Sequence, residues 1–271
     1  MKKWIAMFFM MVFCVSCFAG CSGKQTQSDW DYIKDKGELV IGYTLYEPMN
    51  YLADDNSLTG FDTDFAVAVC EKLGVKAKFV EINWETKEVE LNAKNIDCIW
   101  NGFTIDDERK EKVDFSIPYL VNKQVIVVKD SNAEKYSTID KMAGASMTAE
   151  KESAGQKAIE LNSVLSANPY VPAEKQTDVL LEVKSGTTEI GVIDYIMALA
   201  STGEGTDYAD IVILDSIELT PEEYAIGFRK GSTETLEKIN SAILALAEDG
   251  SLEKIAAKYD LVDKLAEGLV K

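Results

Sequence analysis

The 271-residue chain contains no histidine. That removes Ser-His-Asp and Cys-His nucleophilic catalysis and most zinc sites, all of which use an imidazole as base or ligand. Positive charge is also scarce, with 28 Lys and Arg against 46 Asp and Glu and a net charge of −18. A chain so acidic does not bind nucleic acid or an anionic membrane by electrostatics. Of the five cysteines, Cys14, Cys17 and Cys21 belong to the N-terminal stretch, which leaves only Cys70 and Cys98 for a folded body. An exported domain can pair two cysteines. Each of these sits in an apolar pattern, however, so two buried free thiols are expected. There is no phosphate-binding glycine loop, no low-complexity segment and no short-period repeat. Beyond the N-terminus no apolar run is long enough to span a bilayer.

What is present starts with that N-terminus. Lys2 and Lys3 precede an apolar run from Trp4 to Phe18, followed by Ala19-Gly20-Cys21. A basic start, an apolar middle and small residues before a cut make a secretory signal. The stretch resembles the lipobox of bacterial lipoproteins, with Phe18 where Leu is usual. The resemblance implies cleavage at residue 20 and lipid on Cys21. An ordinary cleaved signal with a chance cysteine is the alternative. A retained anchor is disfavoured, because the run is short and lacks a stop-transfer flank. Cleavage leaves about 250 residues and a net charge of about −20, enough for one large domain or two modest lobes. Membrane attachment would then come from lipid, and two acyl chains hold stably where one does not. Ser22 to Ser28 is polar and aperiodic and reads as a tether.

The body alternates strand and helix patterns. Glu38 to Tyr43 reads as a strand. Asp62 reads as the N-cap of a helix to Leu73, with Phe65, Val69, Cys70 and Leu73 on one face and Gly74 as its stop. Val75 to Val80 reads as a strand, Trp84 to Lys94 as a helix and Ile96 to Trp100 as a strand. This β-α-β-α-β order predicts an open, largely parallel α/β sheet. Val125 to Val128 is a buried strand. A second set follows: a strand near Ser146 to Ala149, a helix from about Ser153 to Leu165, a helix over Thr177 to Val183 and a strand from Ile190 ending at Asp194. Two helices, Thr233 to Glu248 and Leu252 to Tyr259, close the chain.

Open α/β sheets bind ligands beyond the carboxyl ends of their strands. The first such place is Asn101-Gly102-Phe103-Thr104-Ile105-Asp106-Asp107-Glu108-Arg109. There Gly102 allows close backbone approach, Thr104 offers a hydroxyl and Arg109 a planar fork for a carboxylate. From the residues alone, a solvated charge beside Asp106, Asp107 and Glu108 is the preferred reading of Arg109. The second place is Asp194, either a ligand-binding carboxylate or the N-cap of a helix over Tyr195 to Ala200. Tyr46, Tyr51, Trp84, Trp100 and Phe103 form an aromatic set that either walls a pocket or belongs to the core. Trp100 fits the core best.

From about Gly37 to Tyr259 the chain resembles the extracellular solute-binding proteins of amino-acid ABC transporters, family 3. Glu38 to Gly42, Tyr46-Glu47-Pro48-Met49, Leu58 to Asp64, Asn101 to Arg109, Val113 to Tyr119 and Glu223 to Gly231 carry the resemblance, in order. It implies a two-lobed, periplasmic-binding-protein-like α/β fold of type II, with two open mixed sheets joined by two crossover segments. The implied organisation is 1–20 signal, 21–28 lipidated cysteine and tether, 29–121 plus 223–271 one lobe, and 122–222 the other. By resemblance Arg109 clamps the ligand α-carboxylate, Thr104 and Gly102 assist, Asp194 receives the α-ammonium, and Tyr46 and Trp84 cover the ligand. Asn101, Phe103 and Ser153 complete the expected site. The second-lobe segment departs from the family pattern: Glu152 stands where Gly is usual and Ala154 where a hydroxyl is usual. A negative Glu152 beside a carboxylate repels it unless its side chain points outward. Glu150 and Glu152 lean towards a polar or cationic ligand if they line the site; both as solvated charges is the preferred reading.

The resemblance implies a monomeric, extracytoplasmic binder of a free polar amino acid. It would be lipid-anchored and would serve a permease and an ATPase carried on other chains, with no cofactor and no metal. Two other classes stay open. An exported dehydratase on the same fold would need a carboxylic acid in the cleft, a role for Glu150 or Glu152. A sensory ectodomain predicts a spanning segment after the lobes, and none is read before Lys271.

Overall fold

The computed structural model describes residues 27–270. The signal and Cys21 read from the sequence lie outside the described residues. Ser28, read as the end of the tether, instead opens the folded body. Its hydroxyl caps the helix Asp29–Lys36 by accepting the Asp31 N–H at 3.1 Å, and it lies 3.1 Å from the Glu234 carboxylate. That helix was not anticipated, although its signals are present: a Ser cap, Asp29 and Asp31 in the first turn, and Gly37 in the left-handed conformation at its end.

Two sheets form the centres of the two lobes. The first runs in the order Lys76–Glu81, Glu38–Tyr43, Cys98–Ile99, Gly227–Arg229, Val113–Phe115. Its first three strands are parallel, with Ile41 opposite both Phe79 and Cys98, and Gly227–Arg229 is antiparallel to both neighbours. The second runs Ile211–Ile213, Leu120–Lys129, Ile190–Asp194, Met147–Glu150, Tyr170–Ala173. Leu120–Lys129 is antiparallel to its partners, and the other contacts are parallel. Both sheets are therefore mixed, as the family resemblance implied, whereas the element order alone predicted a largely parallel one. Tyr170–Ala173 and Ile211–Ile213 were not foreseen; both are short edge strands without a two-residue alternation.

The period of a strand explains the core. Val125 and Val127 point into the large cluster that includes Leu180 and Ile196, while Ile126 and Val128 point to the opposite face with Met147 and Ile159. In the first sheet, Leu39 and Ile41 face Phe65 and Val69, and Val40 faces Trp84 and Phe103. Cys70 and Cys98 are buried and free. Burial pushes the Cys70 thiol up to about 12.

Two expected elements are shorter than read. The strand over Ile96 to Trp100 is reduced to Cys98–Ile99, because the Asp97 carboxylate takes the Val40 N–H at 2.8 Å in place of a ladder bond. The helix over Trp84 to Lys94 is a 3-10 turn, Trp84–Thr86, followed by a single α-helical stretch, Lys87–Asn92. Asp97 also belongs to a buried charge cluster. Arg229 binds Asp29 at 2.8 Å and Asp97 at 3.3 Å, and donates to the Leu91 and Ile96 carbonyls. This ties the first helix to the first sheet.

The chain passes between the lobes on two paired segments. Leu120–Lys129 leads out and Pro221–Tyr224 returns antiparallel to it, with Leu120 opposite Tyr224 and Asn122 opposite Glu222. Among the described residues no helix is long and apolar enough to cross a membrane.

Candidate functional site

The first-lobe side begins where Cys98–Ile99 ends. Gly102 has φ +56°, and a Cβ there would lie 2.7 Å from the Tyr46 ring and 3.0 Å from that of Tyr224, so only glycine fits. The turn is held from behind by Asp62. The carboxylate of Asp62 does not cap its helix, as the sequence had suggested; Gly60 is the cap residue, and Asp62 instead accepts the Gly102 N–H at 2.7 Å and the Tyr119 hydroxyl at 3.0 Å. Burial raises Asp62 to about 7, against the opposing pull of those two donors. The Asn101 side chain is also used internally, bonding Thr44 and Asn50.

Arg109 is placed by a short helix, Asp107–Lys112, whose cap Asp106 accepts the Arg109 N–H at 2.7 Å. Arg109 is only 6% exposed, which rules out the solvated-charge alternative. Its guanidinium lies 4.8 Å over the Phe103 ring, contacts Asp106 at 3.3 Å, and donates to the Thr104 carbonyl at 3.0 Å. It also reaches across the lobes to the Glu152 carbonyl at 3.2 Å.

The second-lobe side ends its central strand at Asp194. The capping alternative fails here as well, because the Asp194 carboxylate makes no capping bond to the helix Tyr195–Ser201. It accepts from Asn122 at 2.9 Å, Gln124 at 2.7 Å and the Tyr224 hydroxyl at 2.6 Å, and from the Gln176 amide. Glu222, on the return crossover, shares the Asn122 and Gln124 amides and accepts the Thr104 hydroxyl at 2.9 Å. Burial and then the Asp194 charge hold Glu222 well above the usual carboxyl range. Ser153 caps the helix Ala154–Leu161 by accepting the Gln156 N–H at 3.1 Å.

The departure around Glu152 has a backbone explanation. Glu152 adopts φ +57°, the left-handed region that favours glycine. Its side chain is exposed and its carbonyl turns inward to Arg109 and Lys87, so its charge points away from the cavity. Glu150 behaves oppositely. It is 3% exposed, not solvated as preferred from the sequence, and burial, with Asp194 second, raises it to about 8.

Seven of the nine residues singled out from the sequence line one cavity between the lobes: Trp84, Asn101, Gly102, Thr104, Arg109, Ser153 and Asp194, joined by Glu150, Ala154 and Gln176. Tyr46 and Phe103 do not line it. Tyr46 lies behind Gly102, with its hydroxyl 2.8 Å from that of Tyr224, and Phe103 packs beneath Arg109 and edge-on to Trp84. Trp100 is core and Tyr51 lies on a short hairpin. The cavity holds about 10 Å³, roughly one water. Anything larger must separate the lobes. Ion pairs between Lys151 and Glu85, Lys157 and Glu108, and Lys175 and Glu81 bridge the lobes. Larger cavities flank the site, one of about 200 Å³ with mixed charges outside Arg109 and one of about 370 Å³ behind Thr104 and Glu222.

Asn122, Gln124, Gln176, Glu222, Tyr224 and Asp62 were missed as site-building residues. For Asn122 and Gln124 a signal existed: two polar side chains two apart, on the strand face whose other members, Leu120, Ile126 and Val128, are apolar. A guanidinium and a carboxylate on opposite lobes, both buried and both hydrogen-bonded in place, can bind the two poles of a zwitterion.

Known proteins share this arrangement of sheets. The chain is 27% identical over 256 residues to the L-cystine-binding protein TcyJ of Escherichia coli (strain K12), covering 92% of this chain and 93% of that one. A crystal structure of an ABC uptake transporter substrate-binding protein from Streptococcus pneumoniae with bound histidine superposes with TM-score 0.78 at 32% identity, over 86% of this chain and 96% of that one. An ancestral amino-acid-binding protein described as a precursor of cyclohexadienyl dehydratase superposes with TM-score 0.77 at 29% identity, over 86% and 99%. Residues 39–262 match the profile of bacterial extracellular solute-binding proteins, family 3, and the chain belongs to that family.

Proposed function

We propose that the protein binds a free polar amino acid between its two lobes, outside the cytoplasmic membrane, and delivers it to an ABC permease with a separate ATPase. The observation that carries this is the convergence of buried Arg109 and buried Asp194 on one cavity from opposite lobes. An amino acid offers a carboxylate to the first and an ammonium to the second, with Thr104, Gly102 and Ser153 beside them. Each charge-assisted bond gains from the exclusion of water. The ligand bridges the lobes and so favours the closed arrangement, which is what a permease would recognise. A micromolar complex corresponds to about −8 kcal/mol. In this reading residues 29–121 plus 223–271 form one lobe and 122–222 the other, and the monomer is held at the membrane by lipid on Cys21.

The test is a thermal-shift screen of the mature protein against the twenty amino acids and cystine, since a ligand that binds only the native state raises apparent stability. A shift with at least one amino acid is expected; no shift with any of them overturns the proposal. One observation favours a second reading. Glu150 is a buried carboxyl raised to about 8 and is therefore protonated at neutral pH, as a general acid in a dehydratase would be. Incubation with prephenate, followed for an aromatic product, decides between the two.

A further inference from the structure

Three titratable side chains line the cavity between the lobes, and a zwitterion's two poles answer only two of them. Arg109 is cationic; Asp194 and Glu150 are acids. A zwitterion pairs its carboxylate with Arg109 and its ammonium with Asp194, which leaves Glu150, neutral in the empty cavity, free to ionise against a second cation brought by the ligand. Lys87 and Arg109 lie near enough to pull the Glu150 carboxyl down, but among the described residues neither forms an ion pair with it. The Lys87 ammonium, itself buried, donates to the Trp84 carbonyl at 3.1 Å and the Glu152 carbonyl at 3.4 Å, and its nearest carboxylate is Glu88 at 3.6 Å. The Arg109 donors are directed at Thr104, Glu152 and Asp106. Both ends of the Gln176 amide are engaged with Asp194. Glu150 Oε1 has no hydrogen-bond partner among the described residues, although the side chain is only 3% exposed. Buried carboxyl oxygens are ordinarily bonded, because an unpaired one loses its hydration without compensation. An acceptor held in this way, at the end of the strand Met147–Glu150 and on the cavity wall, fits a donor brought by the ligand.

Resting on the amino-acid-binding reading above, we propose that Glu150 selects amino acids of net positive charge, whose side chain ends in a guanidinium or an ammonium, over neutral amino acids of the same shape. The α-groups are read by Arg109 and Asp194, and the distal cation by Glu150. The exposed Glu152 takes no part.

The experiment is titration calorimetry on the mature full-length chain with two isosteric pairs. Arginine is compared with citrulline, which replaces the guanidinium by a neutral urea, and lysine with 2-aminoheptanoic acid, which replaces the ammonium by a methyl. The two pairs separate a guanidinium site from an ammonium site. Wild type is expected to prefer at least one cation over its neutral partner by about tenfold or more. In Glu150→Gln that preference should collapse to within about threefold, while citrulline or 2-aminoheptanoic acid affinity changes little, a split that a merely structural role for Glu150 does not produce. If the variant fails to fold, the wild-type ratios still decide. Equal affinity for charged and neutral partners, or tight binding of cystine alone, overturns the selection by Glu150 and leaves amino-acid binding intact. Binding of no amino acid overturns both.

Discussion

Asp194 and Glu222 draw on the same donors: the Gln124 amide lies 2.7 Å from Asp194 Oδ1 and 2.9 Å from Glu222 Oε1. Two buried carboxyls so close do not both ionise. Burial and then the Asp194 charge hold the Glu222 carboxyl well above the usual carboxylate range. Glu222→Gln, a neutral isostere, should therefore keep ligand affinity within about threefold, whereas Glu222→Ala, which strands the Thr104 hydroxyl and takes one acceptor from each of the Asn122 and Gln124 amides, should lower both affinity and melting temperature. Calorimetry and thermal melts on the two variants check this; a Gln variant as impaired as the Ala variant contradicts it.

Arg109→Ala should reduce amino-acid affinity by about 100-fold or more, because a bidentate charge-assisted contact is lost from a dry site. Its circular dichroism spectrum should stay native. Retained affinity in calorimetry removes the clamp from the account.

Asp194→Asn should weaken amino acids at least about tenfold more than the corresponding des-amino acids, since the matching ammonium is absent from the latter. Equal losses for both series contradict the assignment.

Much of this site was legible in the chain. Asn101 to Arg109 and Ile190 to Asp194 each place polar residues directly after an apolar strand, where open sheets put their ligands. What stayed hidden depended on distant contacts. Asp62 has the chemistry of a helix cap, but an amide 40 residues away, at Gly102, claims its carboxylate. Glu150 and Glu152 lie in one acidic stretch that reads as solvent-facing. The left-handed backbone at Glu152 turns that residue out, while the end of a buried strand turns Glu150 in. Glu222 and Asn122 matter because the two crossovers pair with each other, and local sequence does not report that pairing.

Gly102→Ala places a methyl 2.7 Å from the Tyr46 ring at a φ that side chains rarely adopt. A loss of about 1–3 kcal/mol is expected. Chemical denaturation measures it directly, and an unchanged midpoint refutes the close-packing argument.

Stability of the unliganded protein should fall as pH rises. Asp62 is raised from 3.8 to about 7 by burial, and Glu150 from 4.5 to about 8 by burial and by Asp194 and Asp178, with Lys87 and Arg109 opposing. In those windows the folded state binds more protons than the unfolded state, so each group removes up to about 1.4 kcal/mol per pH unit on going upward. Melting temperatures between pH 5 and pH 8 should decline in wild type and decline less in Glu150→Gln. A parallel decline in both contradicts the buried, protonated Glu150.

The most direct measurement is a crystal structure of the protein with an amino acid bound. The account predicts the Arg109 guanidinium within about 2.7–3.2 Å of the α-carboxylate and an Asp194 oxygen equally close to the α-ammonium. A ligand seated elsewhere, or an Arg109 still directed at the Glu152 carbonyl with the α-carboxylate held by other groups, would contradict it.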